Sequence, residues 1–207
     1  MTRLGLIDYG MGNLHSVQRA FERLGASVMP ISGEAGLDRC DALVLPGVGA
    51  FDPAMQRLRA AGLERALQRA VATGQPLLGI CLGLQLLFEA SDEGEAEGLG
   101  LLPGRVRALP RVSGHPIPHM GWAPLLAAEP SPLLPAGEPP AWVYFVHSYA
   151  AAPANPRCIT AQVDWAGTPV TAAVWQEAIA ACQFHPEKSG VVGEAMLGRW
   201  LAWVAQR

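Results

Sequence analysis

Cys81 has the most specific setting of any reactive residue in the chain. It lies in Gly79-Ile80-Cys81-Leu82-Gly83, after the apolar run 76–80 and before a helical pattern. This is the spacing of a nucleophile elbow with cysteine in place of serine. Small residues flank such a nucleophile because the strand turns sharply into the helix and holds it on a strained backbone. A thiol at a helix N-terminus is favoured as thiolate by the dipole and the free N–H groups. The N–H of Leu82 would then face a developing oxyanion. The pentapeptide by itself is equally compatible with a buried structural cysteine.

A thiol nucleophile needs a base and a group that orients the base. Gln183-Phe184-His185-Pro186-Glu187 offers both, with His185 just past the end of an apolar strand pattern and Glu187 two residues further on. Ligand sites in α/β sheets collect at such strand ends. In isolation the His-Pro-Glu run reads as a capping histidine beside a solvated carboxylate; paired with the elbow, it reads as base and orienter. Leu45-Pro46-Gly47-Val48-Gly49-Ala50-Phe51 is a third element. Its glycines would let the Val48 N–H turn inward as a second oxyanion donor, although taken alone the segment reads better as a plain tight turn.

The elements needed to hold these groups are visible as periodicity. Residues 3–8, 26–31, 42–46 and 76–80 read as short strands. Residues 13–24 read as a helix with Leu14, Val17, Phe21 and Leu24 on one face. Residues 51–73 hold two helical stretches divided near Gly62, and 82–89 another helix. Beyond Ser91 come an acidic loop (92–98) and a Pro- and Gly-rich stretch to residue 140. Residues 142–149, 158–163, 170–175 and 179–184 then read as antiparallel strands, and 192–204 as a closing helix. The expectation is one α/β domain over 1–207, with a mixed, mostly parallel sheet covered by helices on both faces.

Composition narrows the function classes. Half of the 207 residues are apolar, 16% are charged and the formal charge is −3, with no basic block. A nucleic-acid footprint and a polybasic membrane patch are therefore disfavoured. No run is long enough to span a bilayer and the N-terminus lacks a signal-peptide core, so a cytoplasmic protein is expected. Cys40, Cys158 and Cys182 are scattered as small buried residues are, and neither a disulfide framework nor a metal site is expected. Gly10-Met11-Gly12 lacks the third glycine of a dinucleotide loop, His15 standing there. His15, His115, His119 and His147 read as surface or satisfied loop histidines. Fourteen of the fifteen basic residues are arginine; the single lysine, Lys188, directly follows Glu187.

The elbow and the His185–Glu187 pair resemble the class I (triad) glutamine amidotransferases. Further segments resemble the glutaminase subunits of imidazole glycerol phosphate synthases. They are the opening 8–14, Pro46 to Phe51, 79–89, 98–104, Pro118-His119-Met120-Gly121-Trp122, Tyr144 to Tyr149, and Gln183 to Ser189. The likeness runs over essentially the whole chain. It implies that Cys81 attacks a glutamine carboxamide, that His185 oriented by Glu187 moves the protons, and that Val48 and Leu82 N–H groups hold the oxyanion. It further implies glutamine binding by Gly49, Gln85, Ser148 and Tyr149, with no cofactor. Asn13, Trp122, Tyr144 and Lys188 match positions near the interface with a (β/α)8-barrel cyclase, the partner that receives the ammonia for histidine biosynthesis. Ala123 departs from the family's usual Asn, and Leu84 from a common Met. Competing readings are a glutaminase of another synthase, a stand-alone hydrolase of γ-glutamyl amides, and a regulator that kept only the fold.

Overall fold

The computed structural model describes residues 1–127, 129–134 and 141–207. Strands β1 (Arg3–Ile7), β2 (Ser27–Ile31), β3 (Ala42–Gly47) and β4 (Leu77–Cys81) are parallel, as is β12 (Ile179–Cys182) beside β4. Their side chains alternate between two cores. Leu4, Leu6, Val44, Leu78, Ile80 and Cys182 face one side; Ile7, Leu43, Leu45, Leu77 and Ala181 face the other. Burial on both faces explains why β1, β3, β4 and β12 are almost continuously apolar, whereas the edge strand β2 buries only Ile31.

Helices α1 (Leu14–Arg23) and α5 (Gly190–Val204) cover the first side, with Phe21 and Trp200 in ring contact at 5.7 Å. Helices α2 (Phe51–Ala60) and α3 (Leu63–Ala72) cover the second. Helix α4 (Leu82–Leu86) follows β4 without a break. It is shorter than the expected 82–89, because a returning loop captures the carbonyls beyond it. Leu99 N–H donates to the Leu86 carbonyl at 2.8 Å, and Leu101 N–H to that of Leu87 at 2.8 Å.

The second half adds β5 (Ala90–Ser91), β6 (Gly104–Ala108), β7 (His119–Ala127), β8 (Trp142–His147), β9 (Tyr149–Pro153), β10 (Ile159–Trp165) and β11 (Thr168–Gln176). Among the described residues the large sheet has nine strands in the order β2-β1-β3-β4-β12-β11-β10-β7-β8, the four junctions from β12 onward being antiparallel; β5, β6 and β9 form a separate small sheet. The α/β class with a mixed sheet and helices on both faces is as expected. Two details differ. The expected single strand 142–149 breaks at Ser148: His147 pairs with His119 in the large sheet, whereas Tyr149 pairs with Ala108 in the small one. Strands β6 and β7 were hidden in the Pro- and Gly-rich stretch, where β6 buries only Val106.

Candidate active site

The site forms where β3, β4 and β12 end side by side. Gly47 pairs with Cys81, and Cys182 with Ile80, so the Pro46 loop, the elbow and the His185 segment leave the sheet at adjacent points. Cys81 has φ 57° and ψ −113°, a strained conformation for a side-chain-bearing residue. The elbow closes only because glycines flank it. A Cβ on Gly83 would lie 1.8 Å from the Leu45 carbonyl oxygen, and one on Gly79 would lie 3.0 Å from the Gly83 carbonyl oxygen. With α4 barely more than one turn long, little of the expected helix-dipole stabilisation of a thiolate remains.

His185 is buried, and its Nδ1 lies 2.8 Å from Glu187 Oε1. A carboxylate accepts, so Nδ1 carries the proton and donates. The opposite nitrogen, Nε2, is buried with no hydrogen-bond partner among the described residues. Burial alone would lower the His185 pKa, but the neighbouring Cys81 and Glu187 outweigh it and raise it to about 9. The tight turn Pro186–Lys188 folds Glu187 back beneath the ring. Ser189 locks this turn to β8: its Oγ donates to the His185 carbonyl at 2.6 Å and accepts from Tyr144 N–H at 3.0 Å.

Cys81 and His185 open into a cavity of about 310 Å³ that is also lined by Val48, Gly49, Leu82, Gln85, Ser148 and Tyr149. This volume lies at the lower end of small-molecule sites. All eight residues expected at the chemistry or on glutamine, apart from Glu187, expected to orient the base and placed behind the ring, therefore meet in one place. A wider cleft of about 930 Å³, lined among others by Asp38, Cys40, Gln75 and Arg207, lies at the opposite ends of the parallel strands; the Cys40 thiol donates to the Gly36 carbonyl and has no histidine beside it in that lining. Asn13 immediately precedes α1, without a capping hydrogen bond from its side chain, and α1 packs on the Pro186–Lys188 turn; Lys188 is exposed on that turn. Trp122 and Tyr144 are directly paired across β7 and β8, with rings 6.2 Å apart.

Four further residues at the site were not anticipated. Glu93 lines the cavity and accepts from the Phe51 N–H at 2.9 Å. Tyr9, buried beneath the Pro46 loop, donates to the Pro46 carbonyl at 3.0 Å; burial and then Cys81 push its phenol pKa upward. Gln183 is fully buried, and its amide nitrogen lies 3.9 Å from Cys81 Sγ. His147, expected to be a surface or loop histidine, is buried in the cavity wall, with Nδ1 2.8 Å from the Tyr149 carbonyl and Nε2 3.2 Å from His119 Nδ1.

The His147 environment predicts acid sensitivity. Its Nδ1 must donate to a carbonyl, so its Nε2 accepts from His119, an arrangement that needs a neutral ring. Burial, with smaller contributions from His119 and His185, lowers its pKa to about 4. A depressed pKa stabilises the fold above the unfolded value of 6.5, and that stability disappears as pH falls towards 4; the shift corresponds to roughly 3 kcal/mol. His147→Gln keeps a donor for the carbonyl but does not titrate. Its unfolding midpoint should therefore fall less steeply than the wild type's between pH 6.5 and 4.5. Equal slopes would assign the acid sensitivity to other groups.

The glutamine amidotransferase class-I family matches residues 5–201. The chain belongs to the class-I glutamine amidotransferases. Within them it belongs with the HisH subunits of imidazole glycerol phosphate synthase. It is 58% identical to subunit HisH 2 of Parasynechococcus marenigrum over 201 residues, covering 97% of this chain and 95% of the relative. It is 54% identical to HisH of Prochlorococcus marinus, covering 97% of this chain and 94% of that protein. Its fold is similar to that of PurLQS from Thermotoga maritima, with a TM-score of 0.78 at 20% identity, covering 99% of this chain and 100% of that one. A crystal structure described as a glutamine amidotransferase aligns with a TM-score of 0.76 at 20% identity over 99% of both chains.

Proposed function

We propose that the chain is a single amidotransferase domain acting as the glutaminase subunit of an imidazole glycerol phosphate synthase. The observation that carries this is the buried Cys81–His185–Glu187 arrangement opening into a cavity sized for a small molecule. His185, its pKa raised to about 9, holds the Cys81 proton on Nε2 at neutral pH, and Sγ attacks the glutamine carboxamide carbon. The resulting oxyanion is held by the Val48 and Leu82 N–H groups. Collapse breaks the C–N bond, and the His185 proton leaves with ammonia. Water then attacks the thioester with His185 as base, releasing glutamate and restoring the thiol. Gly49, Gln85, Ser148 and Tyr149 hold the glutamine, and the Glu93 carboxylate supplies the anionic partner that an α-ammonium group requires.

The ammonia is delivered to a (β/α)8-barrel cyclase, forming imidazole glycerol phosphate and an aminoimidazole-carboxamide ribotide. In support, the β7–β8 hairpin exposes Met120, Trp122, Leu126 and Trp142 beside the His185 turn, an apolar face suited to a protein partner. Asn13, Tyr144 and Lys188 extend this face. No helix among the described residues is long and apolar enough to cross a membrane; we assign the complex to the cytoplasm. The test is glutamate release with and without the cyclase and its nucleotide ligand. A low basal rate rising steeply when both are present supports the assignment, and a high rate indifferent to the partner overturns it. Lys188→Ala should weaken association or coupling roughly tenfold in a subunit titration, with a smaller effect on intrinsic hydrolysis. A change in hydrolysis alone would place Lys188 in the glutaminase site instead.

A further inference from the structure

The Tyr149 carbonyl fixes the polarity of a hydrogen-bond chain that ends at the Cys81 sulfur. A carbonyl can only accept, and this one lies 3.0 Å from the Gln85 side-chain amide. Gln85 must present its nitrogen there, since its oxygen would face another acceptor. The same nitrogen lies 3.0 Å from the Gln183 side chain, so Gln183 must present its oxygen to Gln85. That choice turns the Gln183 NH2 group towards Cys81 Sγ, 3.9 Å away. The Gln85 N–H pair is then fully used, which leaves its oxygen as the acceptor it can offer to the cavity. His147 Nδ1 donates to the same Tyr149 carbonyl at 2.8 Å and fills its second lone pair. No member of this chain can be flipped without setting two acceptors or two donors against each other.

We propose that Gln183 is a positioning residue for Cys81, its amide locked by Gln85 and the Tyr149 carbonyl so that only N–H, never oxygen, faces the sulfur. This rests on the reading of Cys81 as the nucleophile. A donor at that place stabilises the sulfur when it is charged and gives an S–H no acceptor. The remaining acceptor for the thiol proton is the partnerless His185 Nε2. Gln183 thus directs the proton to the base and stabilises the thiolate left behind. The same contact also sets the face that Gln85 shows to substrate.

The test is the pH dependence of Cys81 alkylation by iodoacetamide in the full chain with its partner subunit, alongside glutaminase kinetics. Gln183→Glu replaces the donor with an acceptor, Gln183→Met removes it at similar length, and Gln183→Asn keeps the amide but withdraws it from the sulfur. Variants are compared where their circular dichroism overlays that of the wild type; the short, conservative Asn change covers failure of the other two to fold. The alkylation midpoint should rise by about one unit in Gln183→Glu and less in Gln183→Asn, leaving about tenfold less thiolate below the midpoint. The limiting rate at high pH should be unchanged, and kcat should fall about tenfold with a smaller change in KM. A merely structural role would lower reactivity at every pH without moving the midpoint, and an unmoved midpoint overturns the proposal. Failure of the underlying reading would look different: wild-type protein alkylated at Cys81 would still hydrolyse glutamine.

Discussion

Cys81→Ala is expected to reduce glutamine hydrolysis by about 10³-fold or more, while ammonia-dependent synthesis by the complex persists. The size follows from the loss of the covalent route. Without sulfur there is no thioester, and water would have to attack an unactivated amide directly. Fold disruption should be small, because Cys81 already lines the site cavity and loss of Sγ enlarges that space without opening a new void in the core. Removal of Sγ also takes away one of the two groups that hold the His185 pKa at about 9. The variant should therefore show a lower imidazole pKa as well as lost turnover. Paired assays decide the matter, with glutamine and with ammonium salts as nitrogen source. Loss of both activities would mean that Cys81 supports the partner's chemistry or the assembly itself, and not the amide cleavage alone.

The sequence made the catalytic centre more legible than its walls. Cys81 and His185 stand out because elbows and strand ends require particular small or rigid neighbours at fixed spacing, and those requirements are local. Strands β1, β3 and β4 are legible for a similar reason, since burial on both faces leaves an unbroken apolar run. Ser148 illustrates the limit. The residues around it alternate as one strand would, and nothing local reports that the chain changes sheets there. That change turns Ser148 and Tyr149 into the cavity. Glu93 was hidden differently: it sits among acidic residues that read as a solvated loop, and only the return of that loop to the start of α2 brings it to the Phe51 N–H. Gln183 did leave a signal, an amide between Cys182 and Phe184 in an otherwise apolar strand. A buried polar group in that position demands partners, and its partners are Gln85 and the nucleophile.

Glu187→Gln is expected to lower kcat/KM about a hundredfold while leaving a thiol that still reacts with alkylating agents. In the proposed mechanism the carboxylate performs two tasks through one contact of 2.8 Å. It accepts from Nδ1, which holds the ring with Nε2 towards Cys81, and its charge stabilises the imidazolium that carries the thiol proton. Glutamine can accept the same hydrogen bond but carries no charge, and rotation of its amide presents a donor that selects the wrong tautomer. The pH consequence has a definite sign. The His185 pKa is raised above its unfolded value of 6.5, so its stabilising contribution is complete below pH 6.5 and is lost as pH rises through about 9. Glu187→Gln should therefore destabilise the fold more at pH 6 than at pH 9.5, where the wild-type carboxylate sits buried beside a neutral ring. Thermal unfolding at the two pH values, together with titration of the His185 imidazole by NMR, measures both effects. An unchanged imidazole titration would mean that Cys81 alone sets the charge of the base, with Glu187 serving only to hold the ring in place.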